Sequence, residues 1–122
     1  MTLRELYENI GGDYEQALRI LRMDKLLDKH IRKYVKNGAV EELLSAGESM
    51  DPVRLFETSH AVKGVSANLG LVRMAEAASE ISEEFRPGNP RTMTDDQVTE
   101  KMQKIRDLYV HIAEEIKKYE EG

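Results

Sequence analysis

Apolar residues recur along this chain at helical spacings, and no segment shows the strict alternation of a half-buried strand. Leu3, Leu6, Tyr7 and Ile10 place one stripe on a short helix that Gly11-Gly12 stops. Asp13 opens a second short helix, with Gln16 three residues on as a capping-box variant and Ala17, Leu18 and Leu21 as its apolar side. Asp24 is the expected N-cap of a third helix, striped by Leu27, Ile31, Tyr34 and Val35 and ended by Asn37-Gly38. A fourth, from about Ala39 to Gly47, carries Val40, Leu43 and Leu44 on one side, so the pair reads as a helical hairpin with a very short connection.

Asp51-Pro52 couples an N-cap carboxylate to a proline at the first helical position. The helix it starts runs to about Leu69, with Gly70 as its stop and Leu55, Val62 and Leu69 as its core stripe, supported by Thr58, Ser59, Val65 and Ser66. The next follows at once and reaches about Phe85 on Met74, Ala78, Ile81 and Phe85, before the Pro/Gly-rich loop Arg86-Pro87-Gly88-Asn89-Pro90. Thr94 and Gln97 form a Thr-x-x-Gln capping box for the last helix. Its seam is Val98, Met102, Ile105, Tyr109, Ile112, Ile116 and Tyr119, over roughly 26 residues or about 39 Å. Four amphipathic segments precede this seam in the same chain, so an intramolecular bundle buries it most directly. The expected fold is all-α: an up-down antiparallel four-helix bundle with short N-terminal helices packed across one end. It forms a single domain over residues 1–122, with the bundle proper over about 24–121. Met23, Met74 and Met102 read as core fillers.

Composition narrows the function classes. At 122 residues the chain has the length of one domain, and its lack of cysteine removes disulfides, thiolate metal sites and thiol nucleophiles. A net charge of −5, from 18 basic and 23 acidic residues, argues against nucleic acid or an anionic membrane as partner. No stretch approaches the ~20 apolar residues of a membrane span, and Met1 to Leu6 lacks a signal-peptide core, so a cytoplasmic monomer is expected. His30 and His111 have no metal-ligand spacing with each other or with His60, and no metal is expected. There is no Gly-rich phosphate loop, so the chain is not expected to use ATP itself.

Gly64 sits inside the helix that begins at Pro52, where glycine costs about 1 kcal/mol relative to alanine. His60, Lys63, Gly64 and Ala67 fall at i, i+3, i+4 and i+7 and share a face away from the core stripe. The helix therefore turns a histidine outward, sets a lysine one turn away and keeps the neighbours small. Imidazole is nucleophilic near neutral pH and can carry a phosphoryl group, whose charge the lysine would offset. From Pro52 to Arg73 three basic residues (Arg54, Lys63, Arg73) face one acid (Glu57), a local charge of +2 inside a chain of −5, which would steer an acidic protein surface toward the site.

The string His-x-x-Lys-Gly-x-Ser-x-x-Leu-Gly, His60 to Gly70, resembles the signature of the histidine-containing phosphotransfer (HPt) domain family, and the order of helices does so over most of the chain. The resemblance implies that His60 accepts a phosphoryl group from an aspartyl phosphate or a histidine kinase and passes it to the aspartate of a receiver domain. It implies a phosphate-stabilising role for Lys63 and room for the receiver at Gly64 and Ala67. Arg86 matches a position that is basic in some members, although a helix C-terminal arginine also serves the dipole. Ser82 falls where several members carry a glutamine that holds the imidazole. Leu3, Tyr7 and Ile10 resemble an N-terminal helix that caps the bundle and helps dock the receiver. No cofactor is expected in the chain, since the catalytic Mg²⁺ would belong to the receiver. Two alternatives share the bundle: an adaptor that binds a receiver or kinase without chemistry, and a phosphotransfer module cut from a larger kinase.

Overall fold

The computed structural model describes residues 1–122, of which 79% are helical and none lies in a strand. The elements are α1 (Leu3–Ile10), α2 (Tyr14–Leu21), α3 (Asp24–Tyr34), α4 (Ala39–Ser49), α5 (Pro52–Asn68), α6 (Val72–Phe85) and α7 (Asp95–Glu121). Their starts follow local capping chemistry. Thr2 with Glu5, and Thr94 with Gln97, close reciprocal capping boxes, and the Asp51 carboxylate accepts from the Val53 and Arg54 amides ahead of Pro52. Asp13 caps only one way. It accepts from the Gln16 amide at 3.0 Å, while its own N–H is committed to the Gly70 carbonyl at 2.8 Å. Asp24 is not a cap. Met23 holds the extended N-cap position without a side-chain bond, and Asp24, the first helical residue, accepts the Tyr14 hydroxyl instead.

Helices α3 and α4 do not form the expected hairpin. The Tyr119 hydroxyl of α7 donates to Asp28 at 2.5 Å, the Tyr109 hydroxyl donates to the Val35 carbonyl at 3.2 Å and to Glu41 at 2.7 Å, and Met102 lies beside Gly47. As the position on α7 falls, its partner rises. The two helices are thus consecutive halves of one rod, antiparallel to α7 and broken at Val35–Gly38. At the break Gly38 takes φ +79° and Asn37 Oδ1 accepts the Ala39 amide at 2.9 Å. Nor does Gly47 end α4. The helix continues to Ser49 and stops at Met50, in the left-handed region at φ +54°. An ideal Cβ on Gly47 would stand 2.9 Å from Met102 Cε, so the Met102 side chain of α7 packs directly on this glycine.

The core joins the predicted stripes of α5, α6 and α7, with Leu55, Val62, Met74, Ala78, Ile81, Val98, Ile105 and Ile116 all buried. Met23 departs from expectation. It is 51% exposed at the α2–α3 corner, because the chain turns there before the stripe of α3 begins. Helix α7 packs on α1, α3, α4 and α6, whereas α5 lies between α4 and α6. Helix α1 covers the C-terminal half of α7, where His111 Nε2 donates to the Asn9 carbonyl at 2.8 Å. Gly70, at φ +67°, fixes the junction of α2 with the α5–α6 turn, since a Cβ there would collide with the Asp13 carbonyl oxygen.

The long α6–α7 loop is tied down by one buried carboxylate. Glu84 accepts from the Thr92 amide (2.8 Å), the Thr92 hydroxyl (2.7 Å), the Met93 amide (2.7 Å) and Arg91 Nε (3.4 Å). Burial opposes its charge, but the bonds from Met93, Thr92 and Arg91 prevail and hold its pKa below the usual 4.5. The resulting stability is complete above that value and is lost as pH falls through the lower folded-state value. Glu84→Gln is expected to cost about 2 kcal/mol in urea unfolding at pH 7. The variant's stability should also fall less than the parent's as pH is lowered through the carboxylate range, because it lacks the group whose folded-state pKa is depressed.

Candidate functional site

The face that α5 turns inward is set by Leu55, Ser59, Val62 and Ser66, all fully buried. Its two serines have partners: Ser59 Oγ donates to the Phe56 carbonyl at 3.1 Å, and Ser66 Oγ pairs with the Tyr34 hydroxyl at 2.9 Å. With that face occupied, His60 and Gly64 are exposed on the opposite side, and Lys63 and Ala67 are half-buried beside them. These four residues therefore meet as the helical spacing predicts.

Gly64 has no structural reason in this chain. An ideal Cβ there meets nothing within 4 Å, in contrast to Gly47 and Gly70. The helix-propensity cost is borne without any packing return inside the molecule.

Two residues not among the sequence candidates, Phe56 and Glu83, join Arg86 beside the histidine. The Phe56 ring stacks on the His60 imidazole, with centroids 5.9 Å apart and planes 26° from parallel. The Arg86 guanidinium carbon lies 5.6 Å from the centroid of the same Phe56 ring, and Arg86 Nη2 donates to Glu83 Oε1 at 2.7 Å. The Arg86 hydrogen bond and charge hold the Glu83 carboxyl below the usual range, and the charge of Lys63 adds to this. The same pair raises the Arg86 guanidinium. An aromatic four residues before the histidine, and an acid three residues before the arginine, were the available sequence signals.

Other expectations need correction. Ser82 is fully buried and its Oγ has no hydrogen-bond partner, so it does not anchor the imidazole; the ring's neighbour is Phe56. Tyr7 and Ile10 are only 1% and 6% exposed, and Leu3 is a half-buried residue packed against the core. Buried side chains offer no docking surface. Tyr7 instead donates its hydroxyl to the Leu69 carbonyl at 2.7 Å and so braces the C-terminal end of α5. The local basic excess does not gather at His60 either. Arg73 lies against Gly11, and Glu83 on α6 bonds Arg86 and feels the charge of Lys63, so acid is interleaved with base here.

No group of three His, Asp or Glu side chains is placed to hold a metal ion, and no helix is long and apolar enough to cross a membrane. A family model of the Hpt domain matches residues 15–117, which is all of the chain from α2 to near the end of α7. The chain belongs to the Hpt domain family. No curated protein and no solved structure matches it. Membership implies phosphotransfer in two-component phosphorelays, with kinases and receiver domains as partners, and Hpt domains serve there as phosphocarriers rather than catalysts. Within this Hpt domain, α1 lies outside the matched residues and packs on α7, where Asn9 meets His111.

Because a methyl group at position 64 would meet only solvent, Gly64→Ala is expected to stabilise the fold by about 0.5–1 kcal/mol through helix propensity. Urea unfolding of the variant measures this. A loss of stability would mean that the glycine serves the fold after all.

Proposed function

We propose that this Hpt domain carries a phosphoryl group on Nε2 of His60, taken from the aspartyl phosphate of a receiver or from a histidine kinase and delivered to a receiver aspartate. In the forward step the Nε2 lone pair forms the P–N bond while the P–O bond to the donor aspartate breaks, its electron pair staying on the carboxylate. Nδ1 keeps its proton, so the ring bears the positive charge opposite the phosphoryl oxygens. The return step reverses these bonds. Lys63 offsets charge on the transferring group, which in a loose transition state is spread over three oxygens. Gly64 and Ala67 let the receiver's surface approach α5 closely enough for in-line transfer. The Mg²⁺ and the acidic pocket are supplied by the receiver, and no cofactor is assigned to this chain. We place the domain in the cytoplasm as a monomer.

One observation carries this reading: an exposed histidine stands one turn from a mid-helix glycine that the chain's own packing does not require. A protein partner that must come close to the backbone accounts for that glycine, and family membership supplies its class.

Incubation with ³²P-labelled receivers should give an acid-labile, base-stable label on this chain, and His60→Gln should carry none. Label persisting in that variant would overturn the assignment of His60. Gly64→Gln separates approach from chemistry. It should take label from the small donor phosphoramidate at the parent rate, while receiver-dependent transfer falls by at least about tenfold. Undiminished transfer from the receiver would remove the role given to Gly64.

A further inference from the structure

We propose that Glu83 is a positioning residue that holds Arg86 in reserve, and that Arg86 leaves it for the phosphoryl group once His60 is loaded. This rests on the reading of His60 given above and concerns what happens after the phosphoryl group arrives.

Three observations carry it. The Arg86 guanidinium is one aromatic ring away from the imidazole, because both pack against Phe56. The only carboxylate that holds it is Glu83, at 2.7 Å across a single helical turn. That pair is a poor permanent residence for either partner, since the Arg86 and Glu83 side chains are 42% and 54% exposed. Exposed pairs of this spacing contribute little, and water competes for both ends.

A phosphoryl group on His60 changes the balance. It brings up to two negative charges and three acceptor oxygens to the side of the domain where Lys63, Arg86 and Glu83 already interact. A guanidinium bonds phosphate oxygens in a bidentate fork, which is stronger than its single bond to one carboxylate oxygen. Phe56 contacts both the guanidinium and the imidazole, so the two groups share one aromatic neighbour. Lys63 is held in the same field, since its charge acts on Glu83 as well.

The consequence is a setting of the phosphoryl group's lability. A phosphoramidate breaks down by loose expulsion of the phosphoryl group, driven by electron density on its outer oxygens. Arg86 bound there withdraws that density and lengthens the life of phosphohistidine. Glu83 competes for the arginine and shortens it, leaving the group easier to pass on.

The test loads the full chain with phosphoramidate, removes the donor and follows the half-life of phosphohistidine at neutral pH by ³¹P NMR, with His60→Gln as the blank. Glu83→Gln should lengthen the half-life about fivefold, and Arg86→Gln should shorten it about fivefold. With Arg86 already replaced, adding Glu83→Gln should change it by less than about twofold, since the effect runs through the arginine. In the parent, the Arg86 Nε–H resonance should move on loading. Equal effects of Glu83→Gln with and without Arg86, or none in the parent background, would overturn the proposal while leaving the role of His60 intact. A parent chain that takes no label at His60 would overturn both.

Discussion

Helix α7 carries apolar residues along one seam from Val98 to Ile116, and a seam of that length needs partners of comparable reach. No other helix of the chain is as long. The molecule meets the constraint by laying shorter helices end to end. Helices α3 and α4 together run beside α7 as a broken rod, and α6 covers its N-terminal half while α1 covers its C-terminal half. The small residues at contact points follow from this arrangement. Met102 packs on Gly47, and Gly70 lets the start of α2 close over the α5–α6 turn. Helix α5 packs between α4 and α6 and gives its inward face to the core shared with α7, so its outer face carries no obligation to that core.

That freedom is what the site uses. The inward face of α5 satisfies packing with Leu55 and Val62 and hydrogen bonding with Ser59 and Ser66, and nothing on the outward face at Gly64 touches the rest of the chain. A residue chosen only for stability would be alanine or a longer helix former at such a position. Gly64 and Gly47, two mid-helix glycines with opposite surroundings, show that the chain's own packing bears on the second position and not on the first.

Much of this was legible in the pattern of residues, and the exceptions have physical causes. Helix starts at Asp13, Asp51 and Thr94 were readable because capping is local, involving groups within four residues, whereas the Thr2–Glu5 capping box emerged only in the structure. The stripes of α5 to α7 were readable because each face meets a core of continuous depth. The relation of α3 to α4 was not, since a break such as Val35–Gly38 is compatible with a fold-back or a straight continuation, and only the length of α7 decides between them. Gly47 looked like a stop because its contact is with Met102, far along the chain. The same holds within the site. His60, Lys63 and Gly64 announced themselves by spacing on one helix, whereas Glu83 and Arg86 belong to α6 and its end, and the place of Arg86 beside Phe56 depends on how tightly α5 and α6 pack.

The charge of the site can then be read as a balance rather than a patch. If Lys63 and Arg86 faced His60 unopposed, the two cations would stabilise a bound phosphoryl group and also make it slow to leave. A carrier needs the group held at an energy close to that of its acyl phosphate partners, because transfer in both directions depends on a small difference between the two bound states. Glu83 supplies the opposing charge from a neighbouring turn of α6, where it contacts Arg86 directly and reaches Lys63 through its field. It lies on the surface, where charge interactions are weak enough to be exchanged rather than fixed. A buried ion pair at this place would be costly to break and would lock the arginine away from the phosphoryl group. The exposure that makes the Glu83–Arg86 pair contribute little to stability is therefore what allows it to be rearranged by the arrival of a phosphoryl group.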